Sequence, residues 1–441
     1  MNRNRHWLRQ MNLRHLSRND SVLALTIFLL ALCVYIASPM INVNSDSEFA
    51  LHVATSIYSG RYGELSHWAP VLKHDPMVKI MGTDWPRQVV ATDRGIYSKY
   101  PIGAPLMALP LLVADDAVKR DAFGKLETRT IPKVEQRIAA ILAAAGIAVL
   151  YLAMRRREAS LTAALLATLA FALGTSMWST ASRALWQHGP LMLCFAAAIF
   201  FLSRNPLRPV DAAAAGLALG YAVVIRQTAG IALITIGLAL LWTNWRYAFA
   251  LAASAVAPML ILVAYDLRSF DSIGNPYTSM FLFSWAWSWV AFAGLMIAPS
   301  RGLLVFSPFL IFAVYGFVHL VRRGRATALD LAYGAYVMLL WMFMACWPAW
   351  SGGHSYGPRM MSDALPFLML YVAIAWDALA TRRESTAAAA MAAVLLLLAV
   401  SCFIHGRGAF DGDVYVWNAL PDLEARIWSV QDPQFLYRLW N

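Results

Sequence analysis

The stretch SVLALTIFLLALCVYIASPM-INVNSDSEFA, residues 21–50, decides the fold class. Its first part is an unbroken apolar run of about twenty residues, enough to cross a bilayer as a helix. Its second part places two carboxylates, Asp46 and Glu48, a few residues beyond the end of that run. Charge beside a bilayer is costly, so carboxylates held at its rim are candidates for chemistry. Outward from this stretch the composition agrees. Of 441 residues, 60% are hydrophobic and only 14% are charged, which no single soluble core of this length would require. The net charge of +11 could suggest nucleic acid, but the basic residues are scattered over short loops. Membrane orientation explains that distribution, and nucleic-acid binding is excluded as a function class.

The pattern of the first run repeats. Apolar spans are expected at 21–40, 135–154, 160–179, 187–203, 210–225, 227–243, 247–267, 304–321, 328–346, 362–380 and 386–404. The chain is therefore expected to be an all-α polytopic membrane protein of about eleven transmembrane helices. With the N-terminus in the cytoplasm, the loops at Arg155-Arg156-Arg157, Arg204 to Arg208, Arg246, Arg322 to Arg325 and Arg382-Arg383 fall inside, as the positive-inside rule requires. Two apolar segments do not fit as spans. Ile102 to Val113 is too short and carries Pro105 and Pro110. Ser284 to Pro299 is rich in tryptophan (Trp285, Trp287, Trp289), which prefers the headgroup level. Both are expected to be interfacial or re-entrant. The weakest point is 210–243, where two short spans must meet at Arg226; one bent span would invert everything after it.

This threading gives a transmembrane domain over 1–404, with a long first outer loop at 41–134 holding interfacial helices. A second outer loop with an interfacial helix follows at 269–303, and an aromatic outer-face tail at 405–441. The basic N-terminus and first span read as an uncleaved signal anchor. Cys33, Cys194, Cys346 and Cys402 lie in or at the ends of spans without metal-like spacing, and read as packing residues.

Several polar positions could carry chemistry. Ser45 and Glu48 fit a capping box that opens the helical pattern Ala50 to Tyr58, and Asp46 suits the positive end of its dipole. A carboxylate oriented in this way is also a candidate general base, so Asp46 and Glu48 are the catalytic candidates. In Tyr97-Ser98-Lys99-Tyr100-Pro101, Lys99 either snorkels beside an interfacial helix or meets an anionic phosphate. Four further sites share the outer side: Arg183 to Pro190, Arg226-Gln227, Pro299 to Gly302, and Trp350 to Arg359. A lone outer arginine commonly snorkels to lipid. Several beside Gly, Pro, His or Trp can converge and hold a phosphate bidentately. Tyr97, Lys99, His188, Arg226, Arg301, His354, Tyr356 and Arg359 are thus the substrate-binding candidates, although a histidine at a helix end is more often structural. There is no HExxH, P-loop or dinucleotide fingerprint.

An Asp-x-Glu pair just after the first span, in a large first outer loop, resembles the signature of GT-C glycosyltransferases. Tyr97 to Pro105 is similar to the Lys-Pro-Pro-type loop of their protein-mannosyltransferase and aminoarabinose-transferase branch. Ala298 to Pro308 and Gly353 to Arg359 resemble segments of bacterial members. The resemblance implies a GT-C-like fold and an active site on the periplasmic, outer face of the bacterial inner membrane. It also implies transfer of a sugar from a polyprenyl-phosphate donor to an acceptor hydroxyl of a glycan, lipid or protein. In this frame Asp46 matches the catalytic base, Glu48 the second acidic position and Lys99 the lysine on the carrier phosphate. The acidic residues are separated by Ser47, and the loop reads Lys-Tyr-Pro, which departs from the branch pattern. No cofactor is required on this reading. Mg²⁺ or Mn²⁺ is the alternative, because Asp46, Glu48 and a donor phosphate could supply oxygen ligands. The rival activities are a lipid-linked oligosaccharide ligase and a lipid-linked-sugar flippase or transporter. A transporter would place its charges near the midplane in related halves.

Overall fold

A computed structural model describes residues 16–43, 46–73, 78, 83–114, 131–277, 286–382 and 385–439. Ser45, Trp285, Arg383 and the basic segment before residue 16 lie outside these described residues. The helices in chain order are α1 (Arg18–Ala37), α2 (Ala50–Tyr58), α3 (Gly103–Val113), α4 (Ile131–Arg156), α5 (Leu161–Leu173), α6 (His188–Leu202), α7 (Pro209–Ile225), α8 (Gly230–Thr243), α9 (Trp245–Phe270), α10 (Trp289–Ile297), α11 (Ile311–Arg322), α12 (Ala328–Ala345), α13 (Leu365–Ala380) and α14 (Ser385–Phe410). A hairpin in the first long loop, β1 (Val89–Thr92) and β2 (Gly95–Ser98), pairs antiparallel with Val90 opposite Tyr97.

Every expected span is helical. Among the described residues six helices are long and apolar enough to cross a membrane, the other expected spans being shorter apolar helices. The two segments expected at the interface form α3 and α10, of 11 and 9 residues, too short to span. Arg226 does separate two helices: its extended backbone (φ −154°, ψ 119°) ends α7 and starts a new turn into α8.

Boundaries moved where local chemistry overrides hydropathy. The 304–321 segment is broken at Ser307-Pro308, because proline has no N–H to continue a helix from Leu303–Phe306. The 160–179 segment ends at Leu173 and resumes as a single π turn, Met177–Ala181. The tail does not begin at 405. Helix α14 continues to Phe410, because His405 is buried and its ring nitrogens meet Ser179 Oγ at 2.7 Å and Ser307 Oγ at 3.0 Å. A polar residue thus sits inside a helix whose polar atoms are satisfied. Ser45 of the expected capping box lies outside the described residues. Helix α2 starts at Ala50 with Phe49 as its cap residue and no side-chain cap bond, so Glu48 precedes the helix.

Small residues set the closest helix contacts, as expected where lipid removes the hydrophobic drive between helices. At Gly216 of α7 a Cβ would fall 2.2 Å from the Leu251 carbonyl of α9. The ends of the long helices are tied by charge. Ser17 and Asp20 form a capping box at the start of α1, and Asp20 pairs with Arg155 at 2.8 Å. At the other end of α1, Arg183 donates to the orphan carbonyls of Tyr35 (2.6 Å) and Ser38 (2.8 Å). Helix α4 has 26 residues, about 39 Å at 1.5 Å per residue, and so separates two chemically different ends. Its first turns face Ser47 and Leu185, through Glu135, whereas its last carries Arg155 and Arg156.

Candidate active site

At the first of these ends, four distant segments meet around Asp46. Arg359 donates through Nη1 to Asp46 Oδ2 at 3.3 Å, and both side chains are only about one-tenth exposed. The guanidinium lies over the Trp186 ring, 4.5 Å from its centroid. Trp186 is fixed in turn by its indole N–H, which donates to the Asn42 carbonyl at 3.1 Å. Asn42, four residues before Asp46, is therefore bonded to the platform beneath Arg359.

The loop before Arg359 owes its path to glycine. Gly352, Gly353 and Gly357 have φ of +75°, +60° and +62°, a region that side chains disfavour. Arg359 opens a 3₁₀ turn, Arg359–Ala364, and four residues on the same turn presents Asp363. Asp363 is fully buried. Its Oδ1 lies 2.6 Å from His188 Nδ1, and its Oδ2 lies 3.2 Å from Arg226 Nη1. The carboxylate can only accept, so the imidazole carries its proton on Nδ1. Arg226 Nη1 also rests 3.0 Å from that ring. The break between α7 and α8 and the start of α6 are thus joined to the Arg359 turn by a buried ion pair.

The hairpin supplies the remaining wall. Lys99 follows β2 and is half-buried, its ammonium 5.3 Å from the Tyr100 ring. Burial lowers its pKa, and the nearby Asp46 carboxylate pulls it back up. The Tyr100 hydroxyl is hydrogen-bonded to Asp46, and burial together with that carboxylate raises its pKa. Tyr277, whose ring stacks at a tilt 5.1 Å from Tyr100, is pushed up to about 12 by burial and then by Asp46. Both phenols therefore stay protonated at neutral pH and can donate. Glu48 holds this wall in place. It accepts from Gln88 Nε2 at 2.6 Å, while the Gln88 carbonyl accepts the Lys99 N–H at 3.0 Å.

The structure thus brings together Asp46, Lys99, His188, Arg226 and Arg359, with Glu48 behind them. It does not bring Tyr97, Arg301 or Tyr356 to the cluster. Tyr97 is buried in the hairpin's contact with α9, edge-on to Tyr265 and Phe270. Tyr356 is fully buried against Phe306, and its hydroxyl donates to the Ile404 carbonyl at 2.7 Å. Arg301 is 1% exposed and spends its guanidinium on Ser300 O, Gly353 O, Asn418 Oδ1 and Gln434 Oε1. Those donors tie Arg301 to the loop before Arg359 and to the tail, while its Nε has no hydrogen-bond partner among the described residues. His354 is exposed on the same glycine loop. The sequence reading missed Asp363, Tyr100, Tyr277 and the Trp186 platform. Asp363 had one usable signal, an acidic residue four positions after an arginine at the start of an apolar span.

The tail is part of this support. Gln434 is fully buried; its Nε2 reaches Ser355 O (3.1 Å), Val414 O (2.9 Å) and Asn418 Oδ1 (3.2 Å), and its Oε1 accepts from Gly357 N at 3.1 Å. One side chain from the tail therefore locks the loop that carries Arg359.

Among the described residues no three His, Cys, Asp or Glu side chains converge as a metal site would need. Of the carboxylates at the cluster, Asp363 is committed to two partners and Asp46 faces Arg359.

No protein-family model and no curated protein matches the sequence. Among solved structures, the chain is similar to ArnT from Cupriavidus metallidurans bound to undecaprenyl phosphate, at 17% identity and a TM-score of 0.49, covering 91% of this chain and 68% of that one. It is similar to the oligosaccharyltransferase AglB from Archaeoglobus fulgidus, in complex with an inhibitory peptide and a dolichol-phosphate. That match has 12% identity and a TM-score of 0.49, over 95% of this chain and 61% of that one. The S. cerevisiae protein O-mannosyltransferase Pmt1–Pmt2 complex bound to the sugar donor gives 15% identity and a TM-score of 0.38, over 59% and 35%. The chain spans about a third to two thirds of the length of these proteins. At such identities and scores, the activity has to be argued from the side chains.

Proposed function

We propose that the protein transfers a sugar from a polyprenyl-phosphate carrier to an acceptor hydroxyl, with inversion, at the Asp46 end of the bundle. The observation that carries this reading is the cluster itself: one carboxylate at the rim of a membrane protein, faced by Arg359, with Lys99 and Arg226 close behind. A base next to cations that can hold a phosphate is what displacement of a lipid phosphate from an anomeric carbon requires. Asp46 accepts the proton of the attacking hydroxyl, the new glycosidic bond forms at the anomeric carbon, and the bond to the carrier phosphate breaks. Arg359 touches Asp46 through Nη1 only, and its Nε has no hydrogen-bond acceptor among the described residues. The same guanidinium can therefore donate to a phosphate oxygen without leaving the base. Arg226 Nε is likewise unpartnered. Tyr100 and Tyr277 supply neutral donors to the sugar or the phosphate. On this reading the cations do the work of a divalent metal, so transfer persists in EDTA.

The arginine-rich connections lie at the far end of the helices from Asp46, which supports an active site on the outer face of the membrane. The test is transfer by purified protein from a polyprenyl-phosphate sugar. Asp46→Ala is expected to lower the rate about 10²–10⁴-fold, the usual range for a general base. Arg359→Ala is expected to lower it about 10²–10³-fold, as for loss of a donor to developing charge. A folded Asp46→Ala protein with the parent rate would overturn the mechanism.

A further inference from the structure

The start of α4 carries a buried carboxyl group that takes no part in the transfer steps. Glu135 is fully buried. Its Oε1 accepts the Leu185 N–H at 2.8 Å, and the carboxyl group is also hydrogen-bonded to the Ser47 side chain. Ser47 follows Asp46 in the chain, and Leu185 precedes Trp186, the ring on which Arg359 lies. One side chain therefore holds the residue next to the base and the residue next to the platform of the base's partner. Neighbouring bonds run the same way. Gln136 Nε2 donates to the Ser38 carbonyl at 3.0 Å, and the Asn42 N–H donates to the Arg183 carbonyl at 3.3 Å. The segment from α1 to Asp46 is thus fixed to α4 near both ends, and to the 183–186 turn between them.

Such a group is a poor source of stability. The charge that acts on Glu135 is a second carboxylate, Glu48, and Glu135 Oε2 has no hydrogen-bond partner among the described residues. Burying a carboxyl group within reach of another carboxylate's charge, with one oxygen unsatisfied, costs free energy. What Glu135 contributes is therefore to be sought in geometry. We propose that Glu135 is a positioning residue, which sets Asp46 against the Arg359 guanidinium for the reaction without touching the substrate. The inference rests on the proposed sugar transfer and adds to it the group that aligns base and cation.

The test measures kcat and KM for a polyprenyl-phosphate sugar on full-length Glu135→Met and Glu135→Gln, beside their unfolding midpoints in detergent. Methionine fills the space of Glu135 but cannot accept the Leu185 N–H. Glutamine keeps that acceptor and can still bond Ser47. A misplacement of about 1 Å can cost about 10²-fold in rate, so Glu135→Met is expected to lower kcat by about that factor, with KM for the donor nearly unchanged. Glu135→Gln is expected to recover most of the loss, and Ser47→Ala, which removes one of the two bonds, to lose less than Glu135→Met. A lowered midpoint with a parent kcat per folded Glu135→Met molecule would overturn the proposal, as would an equal loss in Glu135→Gln. Where Glu135→Met does not fold, Ser47→Ala decides, and a parent kcat in it would be fatal. Asp46→Ala separates two kinds of failure. If it keeps the parent rate, the transfer reading falls whatever Glu135 does; if it is inactive while Glu135→Met is fully active, only the role of Glu135 is lost.

Discussion

Asp363 shows how one buried carboxylate can join elements that the sequence keeps far apart. It is fully buried, yet it faces an arginine and a histidine from the starts of two different helical segments. Removing one partner of a buried ion pair leaves the other charged and unsolvated. Asp363→Ala is therefore expected to destabilise the protein by about 3–5 kcal/mol, read as a lowered unfolding midpoint in detergent. Asp363→Asn keeps an acceptor for His188 and should cost less. His52 gives a second residue-scale test. It sits in α2 between the rings of Phe49 and Trp68, and burial lowers its imidazole to about 4 from an ordinary 6.5. Between those values the unfolded chain binds more protons than the folded one, so stability rises with pH. The contribution is fully present above about pH 6.5 and is lost as pH falls towards 4, by at most about 3 kcal/mol. Unfolding midpoints of the parent should fall across that window, and His52→Phe should flatten the fall.

Among elements, the glycine loop and the tail form one unit. The loop places Arg359, while Gln434 and Arg301 hold the loop from behind through Ser355, Gly353 and Gly357. Gln434→Ala leaves the Gly357 N–H and two carbonyls without these partners, at a cost of about 1–3 kcal/mol for each group left unsatisfied. Transfer is expected to fall with stability, although Asp46 and Arg359 are unchanged; a parent-like rate at a reduced unfolding midpoint would detach the tail from the site. This dependence was not legible in the sequence, where the tail reads only as aromatic and interfacial. Hydropathy reports what a helix shows to lipid, so the spans, the break at Arg226 and the short interfacial helices could be read directly. It says nothing about which buried polar atoms satisfy one another. It could not tell that Arg301 and Tyr356 hydrogen-bond to buried carbonyls and to side chains of the tail. That is also why α14 was expected to stop at His405, which two serines in fact allow inside. Asp46, Lys99, Arg226 and Arg359, which the structure brings together, stand out in the sequence because charge at a membrane rim is conspicuous in an apolar chain. Asp363 is as charged, but its meaning depends on partners 137 and 175 positions away, which no local pattern encodes.

The whole molecule is polar in a simple sense: one end carries the Asp46 cluster, and the other carries Arg155, Arg156, Arg157, Arg322, Arg323, Arg325 and Arg382. The length of α4, about 39 Å, exceeds the hydrocarbon core of about 30 Å, so the two ends cannot share a leaflet. Cationic loops are retained on the cytoplasmic side. Asp84, exposed in the first long loop, should then face outward, and Arg323 inward. Single cysteines at these two positions, in a background with Cys33, Cys194, Cys346 and Cys402 replaced by serine or alanine, make this a direct measurement. In right-side-out vesicles, a membrane-impermeant maleimide is expected to label Asp84→Cys and spare Arg323→Cys; in inverted vesicles the pattern reverses. Labelling of both positions from one side would break the link between the arginines and the membrane, and with it the placement of the Asp46 cluster on the outer face. The reversed pattern would put the same cluster where a cytoplasmic acceptor could reach it. The catalytic geometry would survive that result, but the acceptor would have to be sought on the other side of the bilayer.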